Sequence, residues 1–258
     1  MAATVLDGSR EVLLDAVGML ADEGMDDYVI IGGWCPYLRN SSGLKHPGTL
    51  DVDILFRDAY QHGAIGSIIE ALKKKGFIPS AKHPFQMLIE KPVGGESLIY
   101  NIDLLHPLMT EDVPSMFVDH LELDVPIDDT ERRLKRMCSI VQPNSAILFD
   151  HKLFSSFQLD GVVFNLVDFT GMFVTKMDSC QKPKRERDCL DLYVALKSNG
   201  IDFKKLQSIE NERISNSLNR LINYLGEDAA LFDKNVRMFA PVTGSLAGEL
   251  REALRENI

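Results

Sequence analysis

The sequence is poor in the features that mark secreted, zinc-binding and membrane proteins. It has only four cysteines and no CxxC pair, which disfavours a disulfide scaffold and a structural zinc site. No apolar run reaches the ~18 residues that a membrane-spanning helix needs. The first residues lack the basic start and the apolar stretch of a signal peptide. We therefore expect a cytoplasmic protein that keeps its thiols reduced and has no membrane partner.

The chain is also short of basic residues. Lys and Arg together number 28 against 38 Asp and Glu, which gives a formal net charge of −10 at pH 7 over 258 residues. A surface of that sign repels polyphosphate at long range, and this excludes a protein that coats nucleic acid by bulk charge. A phosphorylated ligand held through metal ions stays compatible, because bound cations invert the local electrostatics.

The order of apolar patterns predicts an α/β fold, with a mixed sheet and helices followed by a helical C-terminal region. Helical spacing and β-rich runs are distributed in that order along the chain. Asp160-Gly161 lies between two β-rich runs and predicts a hairpin. We expect a first domain over residues 1–125 and a second, the hairpin plus the helical region, over residues 126–258. The predicted helices cover 9–23, 34–40, 58–75, 130–137, 168–181, 185–198 and 202–225, with a last one from residue 245, and the β-rich runs cover 28–31, 49–56, 85–90, 98–105, 146–159 and 162–167.

Three aspartates lie in strand-like runs. Asp51 and Asp53 are two residues apart, so their side chains leave the same face of a strand with Cα atoms about 6.6 Å apart. Asp103 lies in a second apolar run, where an unpaired charge is costly. Three acids on adjacent strands would make a site for a hard divalent cation such as Mg²⁺. The alternative is the exposed polar face of an edge strand.

Gly32 and Gly33 lie between a predicted strand and a predicted short helix. Glycine there lets the backbone approach a ligand closely, and the N-terminus of the following helix would present free N–H groups to an anion. A purely structural turn explains the same pair. Coupled to Asp51 and Asp53, the glycines would place phosphate groups beside metal-binding carboxylates, which is the arrangement that phosphoryl or nucleotidyl transfer needs.

These elements resemble the nucleotidyltransferase superfamily, whose best-known member is DNA polymerase β. The likeness covers about residues 28 to 106, through the glycine pair, the run Thr49-Leu-Asp51-Val-Asp53 and the later Asp103. It implies that residues 1–125 form a catalytic domain, which uses Mg²⁺ and a nucleoside triphosphate to move a nucleoside monophosphate to a hydroxyl group. By position, the metal ligands would be Asp51, Asp53 and Asp103, and the nucleotide-binding residues would be Gly32, Gly33, Thr49 and Lys176. Asp103 would also accept the proton of the acceptor hydroxyl.

A second patch lies in the helical half of the chain. Lys176 and the run Lys184-Arg-Glu-Arg-Asp188-Cys-Leu-Asp191 are similar to the nucleotidyltransferase toxins of abortive-infection (type IV) toxin–antitoxin systems. That likeness implies that Lys176 contacts phosphates and that Asp188 is needed for activity, so both join the catalytic set. The alternative is structural. Surface ion pairs on a helix have the four-residue spacing that separates Lys184 from Asp188 and Arg187 from Asp191. In this alternative, the stem of Lys176 would run along the core and its ammonium would reach water.

The acceptor of the nucleotide is left open by the sequence. The toxin likeness implies RNA or a protein hydroxyl as acceptor and a cognate antitoxin as partner. Basic runs at 132–136 and 182–187 are either contacts for RNA or solvated faces. Trp34 stands where many superfamily members have serine, and Gly32-Gly33-Trp34 resembles the antibiotic nucleotidyltransferases, which implies a small-molecule acceptor. A catalytically degenerate nucleotide-binding module is the remaining alternative.

Overall fold

The computed structural model of the chain describes residues 4–57, 64–80, 82–107, 120–123 and 137–258. These residues form strands, α-helices and one 3₁₀-helix, Ser179–Gln181. The strands are β1 (Tyr28–Ile30), β2 (Asp51–Phe56), β3 (Ile78–Pro79), β4 (Gln86–Val93), β5 (Glu96–Pro107), β6 (His120–Leu123), β7 (Met137–Gln142), β8 (Phe154–Leu159) and β9 (Val162–Val167). The helices are α1 (Val5–Asp22), α2 (Trp34–Leu38), α3 (Ala64–Lys74), α4 (Ala146–Asp150), α5 (Phe169–Lys176), α6 (Glu186–Lys197), α7 (Phe203–Gln207), α8 (Glu212–Glu227), α9 (Ala229–Arg237) and α10 (Leu246–Asn257).

The chain folds as two compact units, each built from separate stretches of sequence. The sheet unit comprises Met1–Trp34, Gly48–Ala146 and Ser155–Leu166. The helical unit comprises Cys35–Pro47, Ile147–Phe154 and Val167–Ile258. The domain boundary predicted between residues 125 and 126 lies outside the described residues.

One mixed sheet contains the strands. Its order is β3-β4-β5-β2-β1-β9-β8, and β7 pairs with both β5 and β6. The pairs β2–β5, β1–β9 and β5–β7 are parallel, whereas β1–β2, β3–β4, β4–β5 and β6–β7 are antiparallel. This sheet and the helical C-terminal region confirm the predicted fold class.

Two hairpins depend on residues that accept positive φ. The β8–β9 turn has Asp160 at φ 50° and Gly161 at φ 84°, and two consecutive positive φ values match the right-handed twist of the flanking strands. The β4–β5 turn uses Gly94 at φ 59° and Gly95 at φ 92° in the same way. The Asp-Gly hairpin predicted from the sequence is therefore confirmed.

Helix α1 covers one face of the sheet unit. Thr4 and Asp7 form a capping box at its start, in which the Thr4 hydroxyl accepts from the Asp7 backbone N–H. Its buried stripe includes Val12, Leu13 and Leu20, all fully buried, and it lies within the helix predicted over 9–23. Burial of such a stripe supplies most of the stability of a surface helix, because helix propensity alone is marginal.

The helical unit differs from the sequence prediction in three places. The run predicted as β-rich over 146–159 begins with α4, because a short apolar run does not distinguish a buried helix from a buried strand. The helix predicted over 202–225 is two helices, α7 and α8, since Asn211 accepts from the Ile214 backbone N–H and begins a new helix. Helix α9 was not predicted. The basic helical stretch predicted over 130–137 lies, up to residue 136, outside the described residues.

Two expectations from composition concern the cysteines and membrane-spanning helices. Cys35, Cys180 and Cys189 are buried and free, as expected. Among the described residues, no helix combines the length and the apolar character that crossing a membrane requires.

Candidate active site

The three predicted acidic residues lie on neighbouring strands of the sheet unit. In β2, Val52 and Ile54 point into the core, so Asp51 and Asp53 emerge together on the other face, each half-buried. Strand β5 runs parallel to β2 and places Asp103 directly opposite Asp53. The strand period and the parallel register therefore bring the three carboxylates to one face.

Burial and like charge act together on Asp103. Burial is the main cause that raises the pKa of Asp103 to about 6, and the negative charge of Asp51 adds to it. The Asn101 amide donates to Asp103 Oδ1 at 2.6 Å and opposes the rise. These are hard oxygen donors, the kind that Mg²⁺ prefers, although within the described ranges no three acidic, histidine or cysteine side chains converge as a metal-ligand cluster.

The glycine pair forms a turn directly against the acidic strand. Gly32 has φ 73°, and a Cβ placed on it would lie 1.9 Å from Asp53 Oδ2. A Cβ on Gly33 would lie 2.8 Å from the Cβ of Thr49. Both positions therefore require glycine, the first for its backbone conformation as well as for space. The carboxylate of Asp53 packs against bare backbone.

Thr49 and Trp34 complete the surroundings of this turn. Thr49 is 2% exposed, and its Oγ1 has no hydrogen-bond partner among the described residues. Trp34 is fully buried, as expected for a core residue, and its indole N–H donates to the backbone carbonyl of Asp51 at 2.9 Å. The helix expected to follow the glycines is only five residues long, so it adds little dipole to an anion site.

Lys176 and Asp188 form a buried ion network in the helical unit. The Lys176 ammonium donates to Asp188 Oδ1 at 2.8 Å and also to Asp191 Oδ2. Asp191 Oδ1 accepts from His46 Nε2 at 2.8 Å, and Asp188 Oδ2 accepts from the Ser179 hydroxyl at 2.7 Å. The side chains of Lys176, Asp191 and His46 are 9%, 0% and 1% exposed. We call these five residues the Lys176 network.

Two members of this network, Lys176 and Asp191, are held in the ionised state by their neighbours. Burial alone would lower the pKa of Lys176, but the charges of Asp188 and Asp191 outweigh it and hold that pKa above its ordinary value. Burial would likewise raise the pKa of Asp191, yet Lys176 and the hydrogen bond from His46 hold it below its ordinary value. The surface ion pair considered for Asp191 is therefore wrong, since this carboxylate is fully buried.

The structure groups the predicted site residues into two sets, one in each unit. Gly32, Gly33, Thr49 and the three aspartates lie together in the sheet unit, and Lys176 and Asp188 lie together in the helical unit. His46 and Ser179 were not predicted. His46 follows α2 and meets Asp191 across 145 residues, and such a contact leaves no pattern in the sequence.

Of the two predicted basic runs, the structure describes only the second. Residues 132–136 lie outside the described residues. Residues 182–185 are exposed and precede α6, with Lys184 at φ 65°. This second run is therefore accessible to an anionic partner.

Comparisons with known proteins give structural likenesses of low identity. No family model and no curated protein matches the chain. The crystal structure of an antigenic nucleotidyltransferase-like protein from Paracoccidioides brasiliensis is 12% identical over 88% of this chain and 93% of its own, with a TM-score of 0.45. The crystal structure of JHP933 from Helicobacter pylori is 12% identical over 99% and 96%, with a TM-score of 0.49. Similarity at this level assigns no function to the chain.

Proposed function

We propose that the protein is a metal-dependent nucleotidyltransferase, which moves a nucleoside monophosphate from a nucleoside triphosphate to a hydroxyl group. The observation that carries the proposal is the register of β2 and β5, which sets Asp53 beside Asp103 while Gly32 packs against the Asp53 carboxylate. Carboxylates next to a backbone turn combine ligands for a cation with main-chain groups that would bind a phosphate.

The acidic set suits Mg²⁺ by its chemistry. Asp51, Asp53 and Asp103 offer carboxylate oxygens from one sheet face and would hold the ion. Bound Mg²⁺ would polarise the transferred phosphate and activate the attacking hydroxyl. Asp103 would accept the proton of that hydroxyl.

The glycine turn would bind the triphosphate through its backbone. The absence of Cβ atoms at Gly32 and Gly33 lets the Asp53 carboxylate and the Thr49 side chain pack directly against this turn. The Thr49 hydroxyl lies beside Gly33 and is buried, and no residue that the structure describes accepts from it, so it is a donor that a phosphate oxygen would satisfy.

Lys176 has two roles to distinguish. As a phosphate contact it would supply positive charge to the nucleotide, with Asp188 orienting it. Its ammonium already donates to two carboxylates, however, so the network as a whole carries no excess of positive charge. Its contacts favour a role in holding the helical unit together, and the phosphate contact stays a prediction.

For the acceptor, we favour RNA because the exposed run at 182–185 is locally basic in an otherwise acidic protein. A protein hydroxyl and a small molecule remain outcomes of the test. An RNA acceptor would suit a toxin held by a cognate antitoxin.

Incubation with each nucleoside triphosphate, labelled at the α-phosphate, tests the proposal. In a cell extract with Mg²⁺, we expect the label to enter RNA, and Asp53→Asn should abolish transfer without unfolding the chain. Asp22→Asn removes an exposed carboxylate at the end of α1 and serves as the matched control. Label in protein or in small molecules would reassign the acceptor, and no labelled product with any nucleotide would reject the transferase.

A nucleotide-binding module without catalysis is the second candidate. One observation favours it, namely that the carboxylates of the described residues do not converge as three metal ligands. Calorimetry with Mg²⁺ and ATP beside the turnover assay separates the two functions. Binding without turnover would support the module, and transfer of label would exclude it.

A further inference from the structure

Two of the buried cysteines lie next to each other at the edge of the Lys176 network. Cys180 belongs to the 3₁₀-helix, and Cys189 lies in the first turns of α6. The Cys189 thiol donates to the backbone carbonyl of Cys180 at 3.4 Å, which places the two side chains side by side. Their exposed fractions are 1% and 0%. Neither thiol takes part in the proposed transfer.

The two sulfurs have different surroundings. The Cys189 sulfur accepts a hydrogen bond from the Asn235 amide at 3.6 Å, whereas the Cys180 thiol donates to the backbone carbonyl of Met177 at 3.4 Å. The neighbouring Cys180 side chain is the largest cause that holds the pKa of Cys189 below its ordinary value, against the effect of burial. The Cys189 side chain in turn raises the pKa of Cys180. Hydrogen bonds to a sulfur favour its thiolate, so Cys189 is the better nucleophile.

Cys35 is also buried, but it has no such partners among the residues that the structure describes. Burial raises the pKa of Cys35, and its surroundings offer no second thiol among the described cysteines. Cys35 is as buried as Cys189, so burial alone does not account for the character of the pair. Cys35 therefore provides a matched comparison within the same chain.

We propose that Cys180 and Cys189 are a redox-sensitive pair that forms a reversible disulfide. With a peroxide as oxidant, the Cys189 thiolate attacks one peroxide oxygen, the O–O bond breaks, and the sulfur becomes a sulfenic acid. The Cys180 sulfur then attacks that sulfur, the S–S bond forms, and the S–O bond breaks. Two thiols and one hydrogen peroxide thus give one disulfide and two waters. A small thiol reverses the step by exchange.

Access to the pair runs through a weak element. The 3₁₀-helix is a single turn, and residues 182–185 after it are exposed. Short 3₁₀ turns have poor hydrogen-bond geometry and open locally at low cost. A small oxidant therefore reaches the sulfurs when this turn opens, without unfolding of α6.

The bond would act on the Lys176 network through the adjacent residues. Ser179 precedes Cys180, Asp188 precedes Cys189, and Ser179 donates to Asp188 at 2.7 Å. Joining the two sulfurs changes the spacing of these two residues, and Asp188 is a partner of Lys176. Any resulting control of nucleotide transfer rests on the proposed function, whereas formation of the disulfide does not.

The test uses the full chain with Cys35→Ser and Cys138→Ser, which leaves the pair as its only thiols. After treatment with hydrogen peroxide or diamide, we expect loss of both thiols and a peptide map that joins residues 180 and 189. Dithiothreitol should restore both thiols. Cys189→Ser in the same background should leave the Cys180 thiol unoxidised. Free glutathione in the same solution serves as a measure of oxidation. If both protein thiols persist after the glutathione has been fully oxidised, the proposal is overturned. Conversion of a thiol to sulfinic acid without a disulfide would also overturn it.

A second measurement separates this proposal from the proposed function. Calorimetry with Mg²⁺ and a non-hydrolysable ATP analogue compares the reduced and oxidised proteins. Loss of binding on oxidation, restored by dithiothreitol, would support control through Asp188. Equal binding in both states would overturn that control. If the reduced protein binds no nucleotide while the disulfide forms, the proposed function fails and the redox pair stands.

Discussion

His46 donates a hydrogen bond from Nε2 to Asp191 Oδ1 at 2.8 Å, and both side chains are buried. His46 lies two residues before Gly48, where the chain passes from the helical unit into the sheet unit, and five residues before Asp51. One buried side chain thus anchors the segment that leads into the acidic strand.

Replacing His46 should therefore cost stability. His46→Ala leaves the buried Asp191 carboxylate with one donor fewer, and the loss of a hydrogen bond to a charged group costs about 1.5–3 kcal/mol. His46→Gln keeps an amide donor and should recover part of that loss. Unfolding by guanidinium chloride at neutral pH measures both. His151→Ala, at a half-buried histidine after α4, is the control, and an equal loss there would contradict the role of the Asp191 contact.

Lys176→Met tests whether the lysine serves mainly the network. Removing the ammonium leaves Asp188 and Asp191 as buried carboxylates without their cation, which should cost about 3–5 kcal/mol of unfolding free energy. The triple variant that combines Lys176→Met with Asp188→Asn and Asp191→Asn should regain part of the lost stability, because it buries no unpaired charge. Lys197→Ala removes an exposed lysine of α6 and should change little. If Lys176→Met leaves the unfolding free energy unchanged, the structural role of the lysine is wrong and its phosphate contact becomes the remaining role.

The low pKa of Asp191 predicts how stability depends on pH. Because the folded-state pKa lies below the unfolded value of about 3.9, the ionised carboxylate contributes stability above that pH. This contribution is lost as the pH falls through about 4 and further toward the folded-state pKa. The difference in unfolding free energy between the wild type and Asp191→Asn should therefore be constant from pH 7 to about 5 and shrink in more acidic solution. A difference that stays constant into acid would show that Asp191 is not held ionised by its partners.

The local patterns of the acidic strand were predictable from sequence, and its long-range partners were not. Alternation alone puts Asp51 and Asp53 on one face, because the side-chain period of a strand is two. The glycine pair signalled a turn for the same local reason. The approach of Gly32 to the Asp53 carboxylate needs the antiparallel pairing of β1 with β2, which no short-range pattern specifies.

In the helical unit, the sequence indicated the charged residues but suggested the wrong partners for them. The charges of Lys176 and Asp188 were noted, but spacing along one helix favoured pairs between neighbours at i and i+4. The observed pairs join α5 to α6, and His46 joins them from before the acidic strand. Burial decides this outcome, because a carboxylate with no exposed surface needs the nearest buried donors rather than the nearest residues in sequence.

Gly32→Ala tests whether the turn positions the Asp53 carboxylate. Gly24 is the matched control, since its φ is 67° against 73° at Gly32, but no atom in the described part of the chain lies within 4 Å of a Cβ added there. Gly24→Ala should therefore lose about 1–2 kcal/mol from the left-handed backbone alone. Gly32→Ala carries the same backbone cost and also a Cβ at 1.9 Å from Asp53 Oδ2, so the carboxylate must move. We expect a larger loss of stability in Gly32→Ala and, by calorimetry, loss of Mg²⁺-dependent nucleotide binding that Gly24→Ala retains. Equal behaviour of the two variants would show that the Asp53 carboxylate tolerates displacement and would remove the glycine turn from the proposed site.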